Sequence, residues 1–173
     1  FHPQTLMRDD QVIEADSPDY YYTDAISDNA VKMIEEDTTR EKPFFLYVSY
    51  TAPHWPLHAL EEDIAKYEGR YSRGWDTLRT DRHEELKGTG VLDSKSPISA
   101  RHADVVPWSE APDREWEAMR MAVYAAQIDR MDQGIGRIMA KVRELGVEDN
   151  TIVMFLSDNG GCAEFLAEEA GRP

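Results

Sequence analysis

Hydrophobic positions along this chain fall into two helical patterns and two short apolar runs. Apolar side chains recur at helical spacing from Ile26, behind a capping Thr23, and predict a helix that ends near Glu36. A longer stripe with spacings of three and four predicts a second helix of about 30 residues, which stops at Gly146. The apolar positions of this stripe are Ala118, Met121, Ala122, Ala125, Ile128, Ile135, Ile138, Val142 and Leu145.

The two apolar runs are 44–50 and 151–156, and both have the length of a β-strand. Near-continuous apolar character is typical of strands that are buried on both faces of a parallel sheet. The long helix precedes the second run, and a crossover helix between two strands favours a parallel pair. The pattern therefore predicts an α/β fold in which helices flank a mixed or parallel sheet.

The remaining segments lack a clear period. Residues 1–22 are polar and irregular, and residues 61–113 form a long excursion rich in charges, glycines and prolines. Within the excursion we expect one short helix near Leu60 to Tyr67, with Trp75 and Trp108 as isolated apolar anchors. Loops of this length are uncommon inside a compact domain and are often functional.

Composition excludes several classes of protein. The chain has 173 residues, 41% of them hydrophobic and 31% charged, which is typical of a folded domain with a solvated surface. The formal net charge of −15 repels phosphate backbones, so we expect no nucleic-acid partner. No apolar run approaches the length that spans a bilayer, so we also expect no membrane segment.

The N-terminal sequence and the single cysteine give little information about the location of the protein in the cell. The chain does not start with Met and shows no secretion signal, so we expect that it begins within a longer protein. Cys162 excludes an internal disulfide but does not identify the compartment, and periplasmic, secreted and cytoplasmic locations all stay open. No His or Lys lies next to Cys162 in sequence, and we interpret it as an inert small residue.

Polar residues follow both apolar runs. The first run leads into a loop that contains His54, and the second leads into Asp158, Asn159 and two glycines. Ligands of open parallel sheets bind at the carboxyl ends of the strands. If the two strands are parallel, His54 lies at the same edge of the sheet as Asp158 and Asn159.

Asp158 and Asn159 offer a carboxylate and a carboxamide oxygen, which are hard ligands suited to Ca²⁺ or Mg²⁺. Two oxygens do not complete such a site, because calcium takes about six to eight. Taken alone, the sequence S-D-N-G-G is also typical of a plain turn.

His54 lies between Pro53 and Pro56, which restrict the loop and reduce the entropy lost when the imidazole is fixed. This placement suits a general acid or an anion ligand. The alternatives are a loop histidine bonded to a neighbour, and His58 in the same role. On the long helix, we interpret Asp129 and Asp132 as structural carboxylates that cap a neighbouring loop or pair with arginines at 130 and 137.

Three ordered segments resemble the sulfatase family. They are FFLYVSYTAPHWPLHA at 44–59, YAAQIDRMDQGIGRI at 124–138 and NTIVMFLSDNGG at 150–161, and the helix YYTDAISDNAVKMIEE at 21–36 is similar too. The resemblance implies an alkaline-phosphatase-like α/β fold. It also implies hydrolysis of small-molecule sulfate esters by a formylglycine nucleophile, with a divalent cation, usually Ca²⁺, that holds the sulfate. By the match, Asp158 and Asn159 are two cation ligands, and His54 contacts the sulfate and helps to protonate the leaving oxygen.

Other elements of the family pattern are absent from this sequence. It contains no C-x-P-S-R motif for the nucleophile, and Cys162 lies in G-C-A-E. The family's paired aspartates, its lysine-histidine motif and its active-site lysine are also missing. We expect them before Phe1 or after Pro173, so residues 1–173 are interpreted as the central part of one sulfatase catalytic domain. Such a piece is expected to be inactive alone and to self-associate through uncovered sheet edges.

Two alternative functions stay open from the sequence. One is a metal-dependent phosphodiesterase or phosphonate hydrolase of the same superfamily. The other is a non-catalytic binding domain that has kept the fold and lost the chemistry. The sequence does not name the ester, and aromatic, carbohydrate and choline sulfates all fit the resemblance.

Overall fold

The computed structural model describes residues 5–15, 17–38 and 42–161. The α-helices of these residues are α1 (Tyr22–Thr38), α2 (Glu61–Ala65), α3 (Gly74–Gly88) and α4 (Arg114–Glu144). Short 3-10 helices lie at Trp108–Glu110 and Glu148–Asn150. The strands are β1 (Leu6–Arg8) and β2 (Gln11–Ile13).

Two compact units make up the chain. The first unit comprises Phe1–His58 and Gln127–Pro173, and the second comprises Ala59–Ala126. None of the helices in the described ranges is both long enough and apolar enough to cross a membrane.

The hairpin of β1 and β2 was not predicted. Leu6 pairs with Ile13 and Arg8 pairs with Gln11 in an antiparallel register. The turn between the strands places Asp9 at a φ of 54°, a left-handed conformation that aspartate tolerates better than most residues. Each strand has three residues, which is too short for an alternating pattern to be recognised in the sequence.

Helix α1 confirms the first helical pattern but starts earlier than predicted. It begins at Tyr22, so Thr23 lies inside the helix and is not its N-cap. The apolar stripe is in place, because Ala30 and Ile34 are buried. Ser27 lies on the same buried side and is 0% exposed.

Helix α4 confirms the long stripe, with 31 residues against the predicted length of about 30. It ends two residues before Gly146, whose φ of 68° supplies the left-handed stop. Val142 is buried near the helix end, as its place in the stripe predicts.

Ion pairs join α1 to α4 within the first unit. Arg130 donates to both carboxylate oxygens of Asp24, from Nε at 2.8 Å and from Nη2 at 2.6 Å. Arg137 donates to Asp28 at 2.5 Å. Bidentate guanidinium–carboxylate bonds fix orientation as well as distance, so this pair sets how the two helices face each other.

Both arginines bind carboxylates of α1, and the pairing of Asp129 or Asp132 with them stays a prediction. Asp129 accepts a hydrogen bond from Gln133 one turn further along α4. Asp132 is exposed, so its carboxylate remains in water and carries no burial cost.

The predicted strands at 44–50 and 151–156 are not strands in this structure. Neither segment has ladder hydrogen bonds to the other or to a further segment of the described chain. Side chains of 44–50 alternate between half-buried and exposed, which is the period of a strand with one covered face. Residues 152–156 are all exposed. A strand is fully buried only when neighbouring strands pair with it and both of its faces are covered. Among the described residues, no strand pairs with 44–50 or 152–156, and only one face of 44–50 is covered.

The second unit contains more regular structure than its sequence indicated. The short helix α2 is confirmed, but the 15-residue α3 was not predicted. The rings of Trp75 and Trp108 meet edge to face with centroids 4.7 Å apart, and Trp75 Nε1 donates to the Val106 carbonyl. The two tryptophans expected to be isolated anchors therefore form one cluster.

Asp76 ties the segment after α3 back to the start of that helix. Its Oδ2 accepts the backbone N–H of Trp108 at 2.8 Å, and its Oδ1 accepts from Arg101 at 2.9 Å. The hydrogen bond from the Trp108 backbone, followed by that from Arg101, lowers the pKa of Asp76 below its ordinary value of 3.8. Both bonds favour the charged carboxylate.

Candidate functional site

His54 lies in an exposed loop between the 44–50 segment and α2. Its backbone N–H donates to the Thr51 carbonyl at 2.8 Å and closes a tight turn. Pro53 and Pro56 flank it, and both follow cis peptide bonds. The loop therefore holds the histidine backbone in one local conformation while its side chain faces solvent.

The imidazole of His54 has a defined hydrogen-bond partner. Its Nδ1 lies 2.7 Å from the carbonyl oxygen of Trp55. A carbonyl oxygen only accepts hydrogen bonds, so Nδ1 carries the hydrogen and donates it. Nε2 is therefore the nitrogen left to bind a ligand or exchange a proton.

Hydrogen bonds to α1 and to the residue before it hold both ends of this loop. The Tyr21 hydroxyl donates to the His58 carbonyl at 2.8 Å, and the Tyr21 and His58 rings meet edge to face at 5.6 Å. At the other end, the Tyr50 hydroxyl lies 2.8 Å from Ser27 Oγ. The His58 ring is packed against Tyr21, and the role of His54 as the reactive histidine stays a prediction.

Asp158 and Asn159 lie at a bend and are exposed, as are the two glycines that follow them. Within the described ranges neither side chain has a hydrogen-bond or ion-pair partner. Their oxygens are thus accessible to a ligand, and the donor set suits a hard cation such as Ca²⁺. The described residues contain no cluster of three or more His, Cys, Asp or Glu side chains that could hold a metal.

The structure does not show a hydrogen bond or ion pair between His54 and Asp158 or Asn159 among the described residues. All three belong to the first unit, but no hydrogen bond or ion pair among the described residues joins the loop to the bend. The parallel strand pair that was expected to align them is not formed. Their shared site therefore stays a prediction, and Cys162 lies outside the described residues.

The sequence did not indicate which residues hold the His54 loop; they are Tyr21, Ser27 and Tyr50. The cluster of tyrosines at 20–22 was visible in the sequence, but nothing in it indicated a contact with residue 58. Long-range hydroxyl contacts depend on how helices and loops pack, and a periodic pattern does not encode that information.

The Sulfatase family model matches residues 3–166 of this chain. An uncharacterized sulfatase of Schizosaccharomyces pombe is 40% identical over 136 residues, which cover 76% of this chain and 24% of that protein. The arylsulfatase of Klebsiella aerogenes is 32% identical over 153 residues, which cover 83% of this chain and 31% of that protein. The chain thus spans less than a third of the length of each of these relatives.

A solved structure resembles this chain in its fold. The crystal structure of Ps i-CgsB aligns with 84% of this chain and 22% of that chain, at a TM-score of 0.51 and 21% identity. Likeness at this identity concerns the fold alone, and it supports the predicted α/β class. Since the family model covers nearly the whole sequence and both relatives carry the same family name, this chain belongs to the sulfatase family.

Proposed function

We propose that the protein containing this chain hydrolyses sulfate esters of small molecules, with His54 acting at the leaving oxygen. Membership of the sulfatase family gives the reaction class. The observation that carries the proposal is the exposed His54 imidazole, whose Nδ1 hydrogen is held by the Trp55 carbonyl. This arrangement leaves Nε2 as the ring nitrogen that can donate a proton to the substrate.

The role of His54 follows from that proton arrangement. When the imidazole is protonated, Nε2–H donates a hydrogen bond to the ester oxygen, on which negative charge develops as the S–O bond breaks. Transfer of this proton releases an alcohol and leaves a neutral ring with Nδ1–H still bonded to Trp55. The Trp55 carbonyl stabilises the ring orientation in both protonation states.

Asp158 and Asn159 are the proposed cation ligands. Their exposed oxygens fit Ca²⁺, and Mg²⁺ is the second choice because it demands a stricter octahedral geometry. A bound divalent cation would neutralise charge on the sulfate. The other ligands that Ca²⁺ needs come from outside this pair.

This chain lacks the motif for the nucleophile. The sequence has no C-x-P-S-R motif from which a formylglycine forms, so the chain by itself is expected to be inactive. The proposal therefore concerns the full-length protein, in which this chain supplies the histidine and part of the cation site.

Hydrolysis of 4-nitrophenyl sulfate and 4-nitrophenyl phosphate by the full-length protein tests the proposal. We expect the sulfate to be the better substrate. H54N should lower kcat/KM for the sulfate by about 100-fold, which is the smallest effect expected for loss of a general acid. The effect is small because nitrophenolate is a good leaving group. H102N is the matched control, since His102 is an exposed histidine of the second unit.

Other outcomes would redirect the assignment. Faster hydrolysis of the phosphate would favour a phosphodiesterase or phosphonate hydrolase of the same superfamily. Hydrolysis of neither ester, with no calcium binding by calorimetry, would favour a binding domain.

A further inference from the structure

Hydrogen bonds of the Tyr21 and Tyr50 hydroxyls hold the loop that presents His54. We infer that Tyr21 and Tyr50 are positioning residues for His54, acting through hydrogen bonds at the two ends of the 51–58 loop. The inference rests on the proposed function for its effect on catalysis. The two hydrogen bonds themselves are independent of that function.

The first tether is at the end of the loop. Tyr21 is 7% exposed, and its hydroxyl donates to the His58 carbonyl at 2.8 Å. The backbone carbonyl of Tyr21 also accepts from Ala25, so the tyrosine is fixed to the first turn of α1. A buried ring on a helix end is a rigid anchor, and it fixes the loop four residues after His54.

The second tether is at the beginning of the loop, four residues before His54. Ser27 Oγ donates its one hydrogen to the Thr23 carbonyl at 3.0 Å. A serine hydroxyl has a single hydrogen, so the bond between Ser27 and Tyr50 must be donated by the Tyr50 hydroxyl. Ser27 is fully buried, which makes this hydrogen bond costly to lose.

Helix α1 is in turn fixed to α4 by the bidentate pair of Arg130 and Asp24. The first turns of α1 thus serve as one rigid support for both loop ends. Between the ends, the turn at Thr51 and the bond to Trp55 restrain His54 locally. Loss of either tether would let the loop shift, and small displacements of a catalytic group reduce the rate strongly.

The experiment uses the full-length protein with Y21F and Y50F, which keep each ring and remove the hydroxyl. Y47F is the matched control, because Tyr47 lies in the same segment as Tyr50, is 77% exposed and has no hydrogen-bond partner among the described residues. We expect Y21F and Y50F each to lower kcat by about tenfold with little change in KM, and Y47F to have no effect.

A positioning role differs from a general structural role in one measurable way. If the tyrosines act through His54, then Y21F and Y50F should have no further effect on the residual rate of H54N. A loss of the same size in the H54N background, or a loss no greater than that of Y47F, would overturn the inference and leave the proposed function intact.

Hydrogen exchange of the 51–58 peptide tests the tethers without using activity. We expect about fivefold faster exchange in Y21F and Y50F, and no change in Y47F, because one hydrogen bond at a loop end is lost. If the protein hydrolyses no sulfate ester, the proposed function fails and this measurement decides the inference. Unchanged exchange in Y21F and Y50F would then overturn it.

Discussion

Two glycines of the same helix make a matched test of how α4 packs. A methyl group built at Gly134 would overlap Ser27 Oγ and would lie 3.1 Å from Ser27 Cβ and 3.0 Å from the Tyr50 hydroxyl. A methyl group at Gly136 would meet nothing within 4 Å. Both positions are helical, so G134A and G136A differ in packing and share the same change in helix propensity.

The magnitudes decide the sign of each effect. Replacing a mid-helix glycine by alanine stabilises a helix by about 0.5–1 kcal/mol. Overpacking a well-filled site costs about 1–3 kcal/mol. We therefore expect G136A to raise the free energy of unfolding by about 0.5–1 kcal/mol and G134A to lower it by about 1 kcal/mol. The propensity gain cancels in the comparison, so the difference between the variants is the packing cost alone.

Urea denaturation of the full-length protein, followed by circular dichroism, measures this difference. A coupling test adds S27A, which removes the overlapping oxygen and should make G134A less costly than it is beside serine. Equal stability of G134A and G136A would refute the close approach of α4 to Ser27 and Tyr50. A full cost of G134A in the S27A background would show that Ser27 is not the obstacle.

Three further predictions concern other parts of the chain. Gly74 and Gly90 both have positive φ, but of the two only a methyl at Gly74 would overlap Trp108. In thermal denaturation, G74A should therefore lower the free energy of unfolding by about 1–3 kcal/mol more than G90A does. Equal losses of stability would contradict the tryptophan contact. The lowered pKa of Asp76 means that its charged form stabilises the fold above about pH 4, and that this contribution is lost as the pH falls through the lowered pKa. D76N should thus be less stable than wild type at pH 7 and equal to it at strongly acidic pH, as followed by tryptophan fluorescence; a constant difference across pH would contradict this. The chain expressed alone should self-associate in light scattering through the exposed apolar residues of 152–156, whereas a monodisperse monomer would count against that expectation.

Elements with a long, regular period were predictable from the sequence. Helix α4 appears with the expected length and stop, because nine apolar positions at helical spacing leave no alternative. Helix α1 also appears, and its start is displaced by two residues, within the usual variation of helix ends. The resemblance to sulfatases led to the family that the comparisons show.

Helix α3 was missed for a physical reason. Its sequence has few apolar residues, and seven of its 15 residues are charged, so no stripe identifies a buried face. What anchors it is tertiary: Trp75 against Trp108, and Asp76 bonded to the Trp108 backbone. Arg101 adds a second bond to the same carboxylate. Contacts over more than twenty residues are invisible to a local pattern.

The candidate site was predictable in its residue types and not in its arrangement. Histidine and hard oxygen ligands after apolar runs pointed to His54, Asp158 and Asn159. Their relative placement was inferred from a parallel ladder that the described residues do not form. The tethers from Tyr21 and Ser27 depend on the packing of α1, and no periodic pattern in the sequence encodes them.

The central claim is that His54 protonates the leaving oxygen of a sulfate ester. A series of aryl sulfates whose phenols differ in acidity tests it most directly, with kcat/KM measured for wild type and H54N full-length protein. The account predicts that the rate of H54N depends more steeply on the leaving-group pKa, because poor leaving groups need the proton most. Parallel dependence in the two proteins would contradict a role for His54 as the general acid.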